Sequence, residues 1–116
     1  MILALQDDNV LYVYDTPVEA VRAVEALDAE GTFRAVFDER AQPYKIDWLE
    51  PNRYGRKWFG IFQTCLNGSY RLVPSGAANE AALLQAIRVA VGIDPRSAEP
   101  TVRALEERLA GHLGST

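Results

Sequence analysis

A helix-start signature lies between two strand signals, and that juxtaposition constrains the fold more than anything else in the chain. In Asp15-Thr16-Pro17-Val18-Glu19, Thr16 can serve as N-cap and Pro17 takes the first helical position, where its missing N–H costs nothing. Glu19 stands at the third helical position and completes a capping box. Val18, Val21, Val24 and Leu27, helped by Ala20, recur at helical spacing opposite Glu19, Arg22 and Glu25, and Gly31 is the natural stop. Ahead of this helix, Val10, Leu11, Tyr12, Val13 and Tyr14 read as a strand. Behind it the period changes to two over residues 32–38: Phe33, Ala35 and Phe37 share one face, with Arg34 and Asp38 on the other. A strand, a helix and a strand joined by short turns make 10–14 and 32–38 parallel neighbours through a right-handed crossover.

The remaining elements follow from the same reasoning. Residues 2–6 can pair with 10–14 across the polar turn Asp7-Asp8-Asn9. After the turn at 39–43, Tyr44, Ile46 and Trp48 alternate with Lys45 and Asp47 in a strand at 44–50, and Pro51 to Gly55 is a second turn. Residues 57–66 carry large apolar groups on both faces, Trp58 and Phe62 against Phe59 and Ile61, which predicts a central strand covered on both sides. Asn67-Gly68 is the residue pair of a type I′ hairpin and predicts a return into 69–73. Asn79 can cap a second helix, with Leu83, Leu84, Ile87, Ala90 and Val91 as its apolar face and Gly92 as its end. Residues 93–97 read as a linker, and Val102, Leu105 and Leu109 mark a third helix in which Arg103 can pair with Glu107. The expected fold is a single α+β domain over 1–116: a mostly antiparallel sheet of five to six strands with one parallel β-α-β crossover, packed by about three helices.

Composition narrows the chemistry. With 116 residues, 48% hydrophobic and 24% charged, the chain has the balance of a folded soluble domain with one core. A formal net charge of −4 argues against a general duplex-DNA binder. The apolar start, Met1 to Leu5, is followed at once by Asp7 and Asp8 and has no basic residue before it, so it does not read as a signal peptide. No run approaches the ~20 apolar residues of a membrane span. The expected location is the cytoplasm, with Cys65 a free packing thiol. His112, the only histidine, falls at the end of the last helix, so neither a nucleophile–base pair nor a zinc set can be assembled. The acidic pairs Asp7/Asp8, Asp38/Glu39, Asp47/Glu50 and Glu106/Glu107 read as solvated turns and faces. No glycine-rich phosphate loop is present. No catalytic residue, metal or cofactor is therefore expected. One basic island, Arg53, Arg56 and Lys57 interleaved with Tyr54 and Trp58, has the make-up of a single-stranded nucleic-acid contact. It is short and sits in an anionic chain, so nucleic acid is the weaker reading.

The stretch from Val10 to Glu50, with Tyr12-Val13-Tyr14-Asp15-Thr16-Pro17 and Tyr44-Lys45-Ile46-Asp47-Trp48, resembles the small immunity proteins encoded beside bacterial polymorphic toxins. These include the immunity proteins of contact-dependent inhibition and of type VI secretion. The resemblance implies a non-enzymatic inhibitor that binds a cognate toxin domain and occludes its active site. Acidic character suits such a role, because complementary charge speeds encounter with a basic surface. The family's divergence carries no residue roles over, so the binding residues are inferred from this chain's own pattern. They are Asp38 and Glu39 on one turn, and Asp47, Trp48, Glu50, Arg53, Tyr54 and Arg56 on the next strand and turn, where charges meet aromatics and arginine. The competing reading is a small-ligand or self-associating regulatory module whose pocket is lined by Tyr44, Trp48, Trp58, Phe59 and Phe62.

Overall fold

A computed structural model describes residues 1–51, 53–54, 65–66 and 68–114. Their architecture is α+β. The strand around which the rest is arranged is β1 (Ile2–Gln6), buried along its whole length. It pairs antiparallel with β2 (Val10–Tyr14), Leu3 facing Val13 and Leu5 facing Leu11. On its other side it pairs antiparallel with β3 (Phe33–Asp38), Leu3 facing Phe37 and Ala4 facing Val36. β2 and β3 therefore run the same way, as the strand-helix-strand pattern requires, but they are not neighbours. The turn at 7–9 folds β1 back onto β2, with Asn9 at φ 60° and the Val10 N–H donating to Asp8 Oδ1 at 3.0 Å. β1 thereby fills the place beside β2, and the crossover spans it.

The parallel ladder comes from elsewhere. Residues Gly92–Asp94, expected as a helix end and linker, form a strand that pairs parallel with β2, Leu11 facing Ile93. The four-stranded sheet is thus mixed, with β3, β1, β2 and residues 92–94 in that spatial order. Ile93 is buried, which is the reason the segment joins the sheet and not the solvent.

Helices cover both faces of this sheet. α1 (Pro17–Ala23) and α2 (Ala26–Thr32) replace the one continuous helix expected from Thr16 to Gly31. The Thr16 cap is present, its side chain accepting the Glu19 N–H at 3.2 Å. The break falls at Val24 and Glu25, both extended. There the buried Tyr70 hydroxyl donates to the Val24 carbonyl at 2.6 Å, replacing the helical partner the break removes. Ala20, Val24 and Ala29 pack with Ile2, Ala4 and Val36 on this face, whereas Val18 stays exposed.

On the opposite face, Leu3, Leu5, Leu11 and Phe37 meet Leu83 and Ile87 from α3 (Glu80–Val89) and Val102, Leu105 and Leu109 from α4 (Glu99–Gly114). Asn79 caps α3 as expected, its side chain accepting the Ala82 N–H at 3.0 Å. Ala90 and Val91 lie beyond the helix, and Val91 is 77% exposed. Arg103 pairs not with Glu107 but with Glu106 at 2.8 Å, and with Glu99 at 3.9 Å. Phe33 leaves the face it was expected to share with Ala35 and Phe37. The register of β1 against β3 slips between Leu5 and Gln6, and Phe33 turns to the Val36 side.

The remaining strands lie outside that sheet as a ribbon of two successive two-stranded ladders. β4 (Tyr44–Glu50) pairs antiparallel with β7 (Ser69–Pro74), and β5 (Arg53–Tyr54) with β6 (Cys65–Leu66). Glu50 faces Ser69 and Arg53 faces Leu66, so the strands on either side of Gly68 both pair with strands that precede residue 55. The 57–66/69–73 hairpin is thereby corrected: residues 69–74 pair with 44–50. Asn67 and most of the expected central strand at 57–66 lie outside the described residues. Within those described, the strand buried on both faces is β1.

Gly68 is needed for a different reason than the expected positive φ, which among the described glycines only Gly76 shows. A Cβ on Gly68 would collide with the Glu50 carbonyl oxygen and lie 2.6 Å from the Pro51 carbonyl carbon. Gly68→Val is expected to lower stability by about 1–3 kcal/mol through forced separation of the two arms. A chemical-denaturation midpoint equal to that of the parent chain would show that the arms do not touch there.

Candidate functional site

β4 holds Asp47, Trp48 and Glu50 of the residues expected to meet a partner, and its alternation decides which of them can. Tyr44, Ile46 and Trp48 turn inward against Tyr70 and Leu72. The Trp48 and Tyr70 rings, opposite each other in the ladder, lie 5.5 Å apart between centroids. Trp48 is thus core-facing and partly buried, which makes it a support for the face and not its contact surface.

Asp47 points the other way and meets its cross-strand partner Arg71, Nε to Oδ2 at 2.7 Å. Both side chains are solvated, so the pair stabilises the ribbon by at most ~1 kcal/mol and can exchange partners cheaply. The ladder then slips between Trp48 and Glu50, which leaves Leu49 without an opposite residue. Leu49 is 58% exposed, and Glu50 beside it is exposed as well. The outer face of β4 therefore offers one apolar side chain between a solvated ion pair and a carboxylate.

Asp38 and Glu39 do not join this face. The Asp38 carboxylate accepts the N–H groups of Arg40 at 2.8 Å and Gln42 at 3.0 Å, and so organises the turn into β4. Ala41 in that turn sits at φ 64° and is fully buried. Glu39 is taken by the Met1 ammonium at 2.9 Å, a contact that holds its carboxyl below the usual range. Its carbonyl accepts from Arg108 Nη2 at 3.0 Å. Asp38 is therefore a structural residue, and Glu39 belongs to the seam between the turn and α4. Arg53 and Tyr54 lie further along the ribbon in β5, and Arg56 and Trp58 lie outside the described residues.

Two residues of the β4 face were not anticipated from sequence, Leu49 and Arg71. Arg71 follows only once the 44–50/69–74 register is known. Leu49 depends on the slip in the ladder, which no local pattern announces.

Cavities open on the described surface. One, of about 370 Å³, is bounded by Glu39, Arg40, Glu80, Arg108, Leu109 and His112. There His112 Nδ1 is bonded to Glu80 Oε2, tying the end of α4 to the start of α3. A second, of about 340 Å³, runs between α1 and β7 along Val18, Val21, Tyr70 and Leu72. A third, of about 190 Å³, lies between β3 and β4. Tyr44 lines the third of these, whereas Trp58, Phe59 and Phe62 of the pocket expected around Tyr44 and Trp48 lie outside the described residues. Among the described residues no group of three or more His, Cys, Asp or Glu side chains could hold a metal ion. Likewise, none of the helices described is long and apolar enough to cross a membrane. Comparison with protein-family models, with curated proteins and with solved structures gave no match to this chain.

Proposed function

We propose that this protein is a non-enzymatic immunity protein that binds a cognate toxin domain in the cytoplasm, and that the outer face of β4 is its contact surface. The observation that supports this reading is the arrangement of Asp47, Leu49 and Glu50: an exposed leucine flanked by carboxylates on a strand whose other face is anchored by Trp48 and Tyr70. A rigid strand with an apolar centre and a charged rim matches the anatomy of a protein interface. Its acids suit a basic partner surface, which they would steer toward the complex.

The test is calorimetric titration against the toxin domain encoded by the adjacent gene. Alanine at Asp47, Leu49 and Glu50 together is expected to weaken binding by at least ~2 kcal/mol without loss of folding. Alanine at Glu107, on the outer side of α4, is expected to leave affinity unchanged. Raising salt to about 0.5 M should slow association, because screening shortens the reach of the acids below ~10 Å. Parental affinity in the triple variant would move the contact surface elsewhere, and failure to bind any toxin encoded nearby would remove the function. Hydrolase, transferase and nuclease assays on the purified chain are expected to stay at background. Activity abolished by changing one acidic pair would overturn the non-enzymatic reading.

A further inference from the structure

Val18 belongs by spacing to the apolar stripe of α1, yet the fold leaves it 57% exposed. α1 turns Ala20 and Val24 into the core, so residues 17, 18, 21 and 22, related in pairs at i,i+4, form the flank beside it. That flank and β7 bound the cavity of about 340 Å³, and Pro17, Val18, Val21, Tyr70 and Leu72 give it an apolar lining. The Tyr70 wall is fixed, because its hydroxyl donates to the Val24 carbonyl at 2.6 Å and its ring packs on Trp48. The groove is therefore formed before anything enters it. A preformed, mostly apolar cleft of this volume falls in the range of small-molecule sites, ~300–1,000 Å³.

The charged residues that line it are Arg22 and Arg71, and no carboxylate does. Each arginine has an acid nearby outside the lining, and each keeps donors to spare. Arg22 lies 4.0 Å from Glu19, beyond hydrogen-bond distance, and its guanidinium makes no hydrogen bond among the described residues. Arg71 engages Asp47 through Nε at 2.7 Å, while its two terminal nitrogens make no hydrogen bond among the described residues. A guanidinium carries five N–H donors in a planar fork that fits a carboxylate, so a second anion can share it. The groove thus joins an apolar floor to charge of one sign.

We propose that this groove binds a small hydrophobic monocarboxylate, an alkyl acid of medium length. Its apolar body lies against Val18, Val21 and Leu72, and its carboxylate meets the guanidinium groups of Arg22 and Arg71. A neutral ligand leaves the arginines unused, a cation is repelled by them, and a compact polar anion leaves the apolar walls wet. Covering Val18 supplies the driving force that an exposed valine withholds from the folded chain. The groove is a different surface from the Asp47–Glu50 face, although Arg71 borders both, and its occupancy does not require a toxin.

The probe is octanoate, titrated calorimetrically into the full chain below its micelle concentration. Saturable one-to-one binding is expected. Butyrate, which lacks half the apolar chain, should bind at least about tenfold more weakly. So should octanol and octylammonium, which keep the chain and lose or reverse the charge. These comparisons use the unaltered protein and do not depend on a variant folding. Val18→Glu should weaken octanoate at least about tenfold while thermal melting stays cooperative, since an acid is favoured in the first turn of a helix. Arg22→Gln with Arg71→Gln should weaken it at least about tenfold as well. Absence of saturable binding, or equal binding of octanol, would overturn the proposal. Octanoate affinity unchanged by Val18→Glu would place the acid elsewhere and overturn it too. A peptide ending in leucine that binds more tightly than octanoate would make the chain end of a partner the occupant. Sedimentation showing a dimer that excludes octanoate would make the occupant a second copy, and either result overturns the proposal.

Discussion

Tyr70→Ala is expected to lower the stability of the chain by about 3–5 kcal/mol, and Tyr70→Phe by about 1–3 kcal/mol. The larger loss removes a buried ring that packs on Trp48 and stands edge-on to Phe33 at 6.4 Å. The smaller one isolates the hydroxyl, whose bond to the Val24 carbonyl satisfies the break between α1 and α2. Without it a carbonyl in an apolar setting loses its donor, and the full desolvation penalty of that group appears. Denaturant titrations of the two variants separate ring from hydroxyl. A Phe variant as stable as the parent would show that water replaces the bond.

Alkaline pH offers an independent view of the same residue. Burial pushes the Tyr70 hydroxyl up to about 12, against an ordinary value near 10 in the unfolded chain. The folded value is the higher one, so the associated stability is intact below about pH 10 and is lost as pH rises toward 12. Tyrosinate absorbance should show a late-ionising component to which Tyr12 also contributes, because the hydrogen bond to Asp8 holds it up at about 12, while burial raises Tyr14 and Tyr44 as well. Tyr70→Phe should reduce that component by one tyrosine. If its amplitude is unchanged, Tyr70 does not contribute to the late signal.

Leu3→Ala is the second large effect, with an expected loss of about 2–5 kcal/mol. Leu3 is fully buried, has Val13 and Phe37 on either side in the sheet, and lies under α3 and α4. A site walled by strands on two sides and helices above has little freedom to collapse into the cavity left behind, which places the loss toward the upper part of that range. Equilibrium unfolding should show a lower midpoint with an unchanged denaturant slope. A loss below ~1 kcal/mol would mean that β1 is not the strand on which both cores rest.

Local chemistry was legible in the residues, whereas topology was not. Thr16 and Asn79 act as caps because a side-chain oxygen meets an N–H only a turn away, a contact decided within a few residues. The inward set Tyr44, Ile46 and Trp48 follows from period two in the same way. The break at Val24 was hidden because its compensation arrives from Tyr70, far along the chain. Asn67-Gly68 misled because a glycine demanded by close approach of two backbones has the same one-letter appearance as one demanded by a turn. The segment at 92–94 is too short to show alternation and is drawn into the sheet by Ile93 alone. At the candidate face, the exposed acids Asp47 and Glu50 were readable from alternation and charge. The withdrawal of Asp38 into its turn and the emergence of Leu49 were not, since each depends on geometry set by a partner strand or a backbone N–H.

The parallel pairing of Val10 with Gly92 has a consequence for the order of events during synthesis. That edge of the four-stranded sheet cannot be completed until residues 92–94 have been made, because they supply its pairing. Leu11 also takes its helical cover from residues that follow Ala78. Closing so long a loop is slow compared with forming the turn at 7–9 or the caps of α1 and α3. A nascent chain that has left the ribosome only as far as the ribbon carries a finished β1–β2 hairpin with one bare apolar face. The C-terminal third thus acts as a late seal on the N-terminal strands, and the interval before it arrives is when this protein is most exposed to aggregation.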